Sequence, residues 1–257
     1  MKILVCVKQV PDLETRFKIN DAGNWFDEAD VAFRMNEYDE FAVEEAVALK
    51  EAQGAGSDLT VLSIGPDRVK ETIKKALAMG ADRGVHIQDE EAHRRDPAQV
   101  AAMIASFAQD GGFDMIFMGL QSQDRGSAQV GALVAIDLGF NLLTTVVGFE
   151  YDAGQVTVRR EMEGGLKALV RTKAPVVITC QLGLNKPRYP TLPNIMKAKK
   201  KELLTIPAGE LGAGDASTII VKAAPPERKG AGVILEGDVA EVADKLISMI
   251  REKTGLV

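Results

Sequence analysis

Two segments carry residue types suited to binding a nucleotide, and each follows a short apolar run. The first is residues 7–12, and the second is residues 119–131, which holds three glycines. Glycine lets a ligand approach the backbone closely, and free N–H groups at the start of a helix attract phosphate. Ser127 stands where it would cap that helix or contact an anion. The spacing matches neither a Walker loop nor the GxGxxG fingerprint, so a well-capped turn without a ligand stays an alternative.

Other chemistry has little support in the sequence. His86 and His93 have no cysteine pair or dense acidic cluster near them at metal-ligand spacing, so no metal site is expected. No GxSxG elbow or Cys/His motif suggests a nucleophile. Cys6 and Cys180 lie far apart in apolar runs, which predicts two buried thiols in a reducing compartment. These residues favour a protein that positions a cofactor over one that supplies a catalytic acid and base.

Continuous apolar runs alternate along the chain with helical patterns, and they predict the elements that must position the two segments. Runs typical of buried strands lie at residues 3–7, 59–64, 85–87 and 115–118. Helices are predicted at residues 40–53, 67–79, 97–107 and 127–138. This order implies right-handed crossovers and a doubly wound, mainly parallel α/β sheet. Ligands of such sheets bind beyond the carboxyl ends of the strands, where the strand order reverses.

The second half of the chain has a different pattern. Closely spaced strand-like runs, which predict an antiparallel extension, lie at residues 144–151, 155–161, 166–171 and 176–180. Three prolines in residues 185–194 argue against a regular helix and predict an extended excursion. Glycines and prolines break the tail from residue 203, and a helical pattern returns at residues 238–252.

The predicted organisation therefore has three parts. Residues 1–182 form the nucleotide-binding α/β core with its antiparallel extension, residues 182–202 form a projecting loop, and residues 203–257 form an arm with a final helix. The loop is long and irregular, and such loops are usually functional or disordered.

The composition limits the class of protein. Hydrophobic residues make up 46% and charged residues 26%, which is typical of a globular protein. The net charge of -6 argues against a general nucleic-acid binder, because phosphate neutralisation needs a surplus of basic residues. No apolar stretch is long enough to cross a bilayer, and the first residues lack the features of a signal peptide. A cytoplasmic protein without membrane insertion is expected.

Four segments in a fixed order point to a family. They are residues 35–46 (MNEYDEFAVEEA), 76–84 (ALAMGADRG), 161–166 (EMEGGL) and 188–201 (RYPTLPNIMKAKKK). Together they resemble the β subunit of electron-transfer flavoproteins, and the resemblance implies an adenine-nucleotide-binding, stress-protein-like core for the doubly wound sheet. The resemblance is close over residues 1 to about 205 and looser in the tail.

The resemblance implies a heterodimer with an α subunit, in which FAD is held mainly by α against the β surface. It also implies AMP as a second nucleotide within β, and electron transfer from an acyl-CoA or related dehydrogenase to a quinone-linked oxidoreductase. Carried over by position, the nucleotide contacts are Cys6, Asn36, Glu37, Tyr38, Asp39, Ile64, Gly119, Gln121, Asp124, Gly126, Ser127, Ala128, Gln129 and Val130. Leu13 and Tyr38 fall near the shared FAD. On the residues alone, Cys6 and Ile64 are equally consistent with plain core positions.

The resemblance also assigns residues 182–202 as a partner-recognition loop, whose Leu192 docks in an apolar pocket of a dehydrogenase. The other expected contacts are Tyr189, Pro193, Ile195, Met196 and Lys197. Prolines limit the entropy lost on docking, and one apolar side chain in a dry pocket can serve as a hot spot. From the residues alone, Leu192 would fold back on its own surface and the lysines would be solvated. The helix of the arm is expected to pack on the α subunit.

Two positions depart from the family pattern. Lys167 stands where the family commonly has a carboxylate that helps to set the mobile α domain, so that contact is absent or reversed. Arg125 and Gly126 differ from the flavin-bifurcating branch, although residues 128–131 resemble it. AMP is therefore favoured over a second FAD.

Two other functions stay open. One is a bifurcating flavoprotein, in which a second FAD in this chain is reduced by NADH. The other is a nucleotide-sensing regulator of the stress-protein type, which shares the core but has no evident need for the proline-rich loop and its lysines.

Overall fold

The computed structural model describes residues 1–226, 230 and 232–255. The chain forms two compact units, Met1–Ala223 and Ala224–Val257. The strands are β1 (Lys2–Cys6), β2 (Gln9–Pro11), β3 (Phe33–Met35), β4 (Asp58–Gly65), β5 (Arg83–Gln88), β6 (Met115–Gly119), β7 (Asn141–Asp152), β8 (Gln155–Glu161), β9 (Lys167–Lys173), β10 (Val176–Cys180) and β11 (Leu203–Pro207). The α-helices are α1 (Glu37–Gln53), α2 (Lys70–Met79), α3 (Pro97–Gln109), α4 (Val130–Leu138), α5 (Leu192–Ala198) and α6 (Val239–Thr254).

The first unit is built on a nine-stranded sheet with the order β11-β5-β4-β1-β6-β10-β7-β8-β9. Neighbouring strands are parallel from β11 to β7 and antiparallel from β7 to β9. The chain builds outward from β1 through β4 and β5, then returns to place β6 on the other side of β1. The strand order therefore reverses between β1 and β6, as the doubly wound prediction requires.

Helices cover both faces of the parallel part of the sheet. Ile3 and Val5 of β1 face a core shared with α1 and α2, whereas Leu4 faces a second core shared with α3 and α4. Strands buried on both faces need continuous apolar runs, and this is why the sequence shows no alternation there. The predicted α/β fold class is confirmed.

Two strands lie where the sequence pattern did not put them. Val176–Cys180 was expected in the antiparallel extension, but it returns into the parallel sheet between β6 and β7. Leu203–Pro207 was expected in the arm, but it pairs in parallel with β5 at the edge of the sheet. Short apolar runs carry no information about partners far away in sequence, and for this reason periodicity assigned both wrongly.

The proline-rich segment was predicted to lack a helix, and this is wrong from Leu192 onward. Helix α5 begins there with Pro193 in its first turn, and Thr191 caps it by accepting a hydrogen bond from the N–H of Asn194 at 3.4 Å. A proline in the first turn removes an N–H that has no helical partner, so it is compatible with a helix start.

Helix α4 begins three residues later than the predicted start at Ser127. Its N-cap is Gln129, which makes no capping hydrogen bond with its side chain, so the proposed capping role of Ser127 is also wrong. Ala128 has a φ of 52°, in the left-handed region. An alanine held there cannot belong to the helix and stores backbone strain in the loop before it.

The second unit contains α6, which begins after Asp238. The Asp238 carboxylate accepts a hydrogen bond from the N–H of Glu241 at 2.9 Å, as expected of an N-cap. Apolar side chains of this helix, including Val239 and Leu246, are exposed. The helix predicted at residues 238–252 is confirmed within one or two residues.

Candidate functional site

Asp39 organises the carboxyl edge of the sheet at the point where the strand order reverses. It lies in the first turn of α1, and its carboxylate accepts hydrogen bonds from two backbone N–H groups. The N–H of Lys8, just after β1, donates across 2.7 Å, and the N–H of Gly119, at the end of β6, donates across 3.0 Å. One buried side chain therefore joins α1 to the ends of two adjacent strands.

Burial dominates the electrostatics of this carboxylate. Asp39 is 5% exposed, and burial raises its pKa to about 7, although the hydrogen bonds that it accepts act to lower it. Desolvation disfavours a charged group, whereas N–H donors favour it. Asp39 therefore titrates near neutral pH, far from its ordinary value of 3.8.

Gly119 must lack a side chain at this junction. A Cβ on Gly119 would collide with the Asp39 carboxylate and would lie 2.7 Å from Cβ of Tyr38. Gly131 is equally confined, because its added Cβ would collide with the side chain of the buried Thr179. Gly119 therefore permits close packing of the loop against α1, and Gly131 permits close packing of α4 against β10.

A cavity of about 500 Å³ opens above this junction. Eleven of the fourteen residues predicted to contact a nucleotide line it: Cys6, Asn36, Asp39, Ile64, Gly119, Gln121, Asp124, Ser127, Ala128, Gln129 and Val130. Its size lies within the range of small-molecule sites. The two predicted segments are thus brought to one cavity at the predicted edge.

Glu37, Tyr38 and Gly126 were also predicted as contacts. Glu37 and Tyr38 are not among the residues that line the cavity, and their side chains form hydrogen bonds with the loop that does. Glu37 accepts a hydrogen bond from the Gln123 side chain at 2.8 Å, and the Tyr38 hydroxyl accepts one from the Gln121 side chain at 3.1 Å. The Asn36 side chain holds the same loop, donating to the Gln121 carbonyl at 2.9 Å and accepting from the Gln123 N–H at 3.0 Å.

Gly126 gives this loop its shape. It has a φ of 61°, and its N–H donates to the carbonyl of Ser122 at 2.8 Å. That conformation favours glycine, so Gly126 closes the turn rather than lining the cavity.

The cavity walls have two chemical characters. Leu62, Ile64 and Ile104 provide apolar surface of the kind that packs against a purine ring. Elsewhere the Lys8 ammonium lies 2.7 Å from the Asp124 carboxylate and 3.3 Å from the Ser122 hydroxyl. The first turn of α4 also lines the cavity, and its N–H groups lack acceptors within the helix. An apolar wall beside a cation and a helix start fits an adenine nucleotide.

Burial and mutual attraction act in opposite directions on the Lys8–Asp124 pair. Burial raises the pKa of Asp124, but the neighbouring Lys8 ammonium outweighs burial and the net shift is downward. Burial lowers the pKa of Lys8, and Asp124 opposes this effect. The net shift of the Lys8 pKa is also downward. An anion entering the cavity would compete with Asp124 for the Lys8 ammonium.

Comparison with known proteins identifies the family of this chain. A family model described as the electron transfer flavoprotein domain matches residues 23–211. The electron transfer flavoprotein subunit beta of Methylophilus methylotrophus is 37% identical over 264 residues, covering 99% of this chain and all of the relative. The subunits of the same name from Sus scrofa and Homo sapiens are 39% and 37% identical, each covering 98% of this chain and 97% of the relative.

The chain belongs to the electron transfer flavoprotein β-subunit family. Membership implies a role in electron transfer, and it confirms the resemblance carried by the four sequence segments.

Trp25 and His93 line the cavity beside the predicted loop, but they were not predicted as contacts. Trp25 lies in residues 12–32, which connect β2 to β3, and it stacks on Phe26 with ring centroids 4.8 Å apart. The His93 ring lies 5.4 Å from Trp25, and the Arg125 guanidinium lies 5.5 Å from it. Arg125 donates to the carbonyls of His93 and, at 2.8 Å, of Arg95. These residues join three separate walls, and irregular connections give no periodic signal that would have revealed them.

The predicted partner-binding residues form an exposed surface on the β-family chain. Tyr189 is 91% exposed and Leu192 is 78% exposed, and Pro193, Ile195, Met196 and Lys197 are exposed beside them. The residues alone suggested that Leu192 folds back on its own surface, and its exposure shows that it does not. Leu13, predicted to lie near FAD, is 57% exposed and is separate from the cavity lining. Lys167 begins the edge strand β9 and is exposed.

Other features of the described part of the chain concern metals, thiols and membranes. Within it, no group of three or more His, Cys, Asp or Glu side chains is arranged to hold a metal ion. Cys6 and Cys180 are free and buried, as predicted. The described helices include none with the length and apolar character needed to span a bilayer.

Proposed function

We propose that this chain is the β subunit of a heterodimeric flavoprotein that carries electrons from an acyl-CoA or related dehydrogenase to a quinone-linked oxidoreductase. The observation that carries the proposal is the cavity at the β1–β6 reversal, lined by most of the residues that the family resemblance nominates. Family membership supports the electron-transfer role. The chain itself acts by positioning cofactors and partners.

AMP is the nucleotide proposed for the cavity. Ile64 and its apolar neighbours would contact the purine, and Lys8 with the first turn of α4 would contact the phosphate. Arg125 bridges the loop to the carbonyls of His93 and Arg95, and this bridge bounds the cavity on that side. AMP is preferred to a second FAD because Arg125 and Gly126 depart from the pattern of the flavin-bifurcating branch.

FAD is proposed to lie between this chain and an α subunit. The groups of this chain that would face it are the exposed Leu13 side chain and the Tyr38 hydroxyl. FAD supplies reversible electron uptake when bound. The hydrogen bond from Gln121 to Tyr38 fixes the orientation of this phenol and connects the flavin side of α1 to the nucleotide loop.

The exposed Leu192 is proposed as the anchor for a partner dehydrogenase. An apolar side chain projecting from a short capped helix loses little entropy when it enters an apolar pocket. The exposed lysines beside it would favour approach to acidic surfaces. The exposed apolar residues of α6 are proposed to pack against the α subunit.

The test is electron transfer with the heterodimer, made by coexpressing this chain with an α subunit. FAD bleaching is followed by absorbance after addition of an acyl-CoA dehydrogenase and its acyl-CoA substrate. The carrier proposal predicts rapid bleaching that Leu192→Ala slows, with no bleaching by NADH alone. Bleaching by NADH would support the bifurcating alternative. A protein that purifies without flavin would contradict the flavoprotein proposal.

A further inference from the structure

Arg188, which precedes the exposed surface around Leu192, is fixed to α1 by ion pairs. The Arg188 guanidinium contacts the carboxylates of Glu44 and Glu51, which lie about two turns apart on the same face of α1. It donates to Glu44 from Nε at 2.9 Å and from Nη2 at 3.0 Å, and to Glu51 from Nη1 at 2.7 Å and from Nη2 at 3.0 Å. The Arg188 N–H adds a bond to Glu44 at 3.0 Å.

Neighbouring groups fix the segment on either side of Arg188. The Asn185 side chain donates to the Phe41 carbonyl at 3.0 Å and to the Glu45 carboxylate at 2.8 Å, both on α1. After α5, the Lys201 ammonium donates to the carbonyl of Leu77 at 2.9 Å. That carbonyl lies in the last turn of α2, where a cation is favoured. Both ends of the segment are thus bonded to helices of the first unit.

Arg188 is bonded to α1, whereas most of the residues that follow it are exposed to solvent. The Glu44 side chain is only 12% exposed, so its pairing with Arg188 is partly desolvated. Tyr189, one residue further, is almost fully exposed, and every residue of α5 except the buried Ala198 is exposed to solvent. A planar guanidinium that holds two carboxylates fixes its own orientation and that of the adjoining backbone better than an ammonium would.

We propose that Arg188 is a positioning residue for partner docking, which holds residues 188–198 on α1 so that Leu192 projects in the orientation that a dehydrogenase recognises. This inference rests on the proposed docking role of Leu192. Loss of the Arg188 ion pairs with Glu44 and Glu51 would leave the segment in several orientations, and only a fraction of them would be competent to dock. The apparent affinity for the partner falls to that fraction of its original value, whereas transfer within the docked complex is unchanged.

The experiment uses the heterodimer and measures steady-state reduction by an acyl-CoA dehydrogenase supplied with its acyl-CoA substrate. Arg188→Gln is expected to raise the KM for the flavoprotein about tenfold, if the competent fraction falls to about a tenth, and to leave kcat within about twofold. Lys74→Gln removes the same charge from an exposed site on α2, where its ion pair is with Glu71 of the same helix, and its KM should change far less. Hydrogen exchange at residues 189–198 should be faster in Arg188→Gln alone.

A double-mutant cycle separates positioning from direct contact. If Arg188 acts through Glu44, then Glu44→Gln alone raises KM, and adding it to Arg188→Gln raises KM no further. Additive effects would show that Arg188 acts by another route and would overturn the proposal. If Arg188→Gln lowers the melting temperature, Arg188→Lys is used, which keeps the charge and should give an intermediate KM because the paired hydrogen bonds are lost.

Leu192→Ala separates the positioning role of Arg188 from the docking role of Leu192. If Leu192→Ala raises KM while Arg188→Gln leaves KM and hydrogen exchange unchanged, the positioning role is overturned and the docking role stands. If Leu192→Ala itself leaves KM unchanged, the proposed docking segment fails, and the positioning role fails with it.

Discussion

The Asp39 carboxylate accepts a hydrogen bond from the N–H of Gly119 across 3.0 Å, although eighty positions separate the two residues. This bond fastens the start of α1 to the end of β6, where the strand order reverses. The nucleotide loop begins at Gly119, so its position is set by a helix from the first quarter of the chain.

Removing the Asp39 carboxylate should destabilise the protein. In Asp39→Ala the N–H groups of Lys8 and Gly119 lose their acceptor. Leaving part-buried donors unpaired is expected to cost about 2 kcal/mol in the free energy of unfolding, measured by urea denaturation of the heterodimer. Asp137→Ala, at an exposed position on α4, is the matched control and should change stability little. Equal stability of the two variants would contradict this role of Asp39.

The same residue predicts a pH dependence. The folded-state pKa of Asp39 is raised from 3.8 to about 7, so between these values the folded protein holds a proton that the unfolded chain has released. The contribution of Asp39 to the free energy of unfolding must therefore fall as pH rises through this window. Urea denaturation of the wild type and Asp39→Asn across pH 4 to 8 gives this contribution by difference. A difference that is flat, or that rises with pH, would contradict the raised pKa.

Gly119→Ala should weaken nucleotide retention and stability together. The added methyl group would collide with the Asp39 carboxylate, which two hydrogen bonds hold in place. Because the nucleotide binds only the folded state, loss of the ligand lowers the melting temperature further. Gly212→Ala is the control, since its added methyl group meets no atom within 4 Å and its φ is unexceptional. Unchanged AMP content in Gly119→Ala would show that the loop does not hold the nucleotide.

Trp25 should report on the contents of the cavity. It is the single tryptophan of the chain and lines the cavity. Removal of AMP from the heterodimer should change the tryptophan emission, and readdition should restore it. Trp25→Phe serves as the subtraction control, because it removes this chain's contribution and leaves that of the α subunit. A signal identical in the wild type and Trp25→Phe would place the nucleotide away from Trp25.

Much of the fold follows from local pattern. The continuous apolar run that forms β1 and the capped helix that begins at Pro97 were predicted to within two residues, because burial and capping act over a few positions. The alternation of strands and helices also predicted the doubly wound class. Where periodicity is strong and partners are near in sequence, the physics is visible in the sequence itself.

The rest depends on contacts between distant segments. Nothing near Leu203 indicates that β11 pairs with β5, and nothing near Asp39 indicates that its side chain meets Gly119. Trp25 lies in an irregular connection whose position over the cavity is set by its aromatic neighbours. The start of α4 was misplaced because the strained φ of Ala128 delays the helix, and short-range propensity does not encode that strain.

The cofactor content of the purified heterodimer tests the central claim most directly. Cofactors are released by acid or heat, separated by chromatography and quantified against protein. The cavity above the Asp39–Gly119 junction, with FAD shared between subunits, predicts equal amounts of FAD and AMP, one of each per heterodimer. Two FAD and no AMP, or FAD with no second nucleotide, would contradict the account.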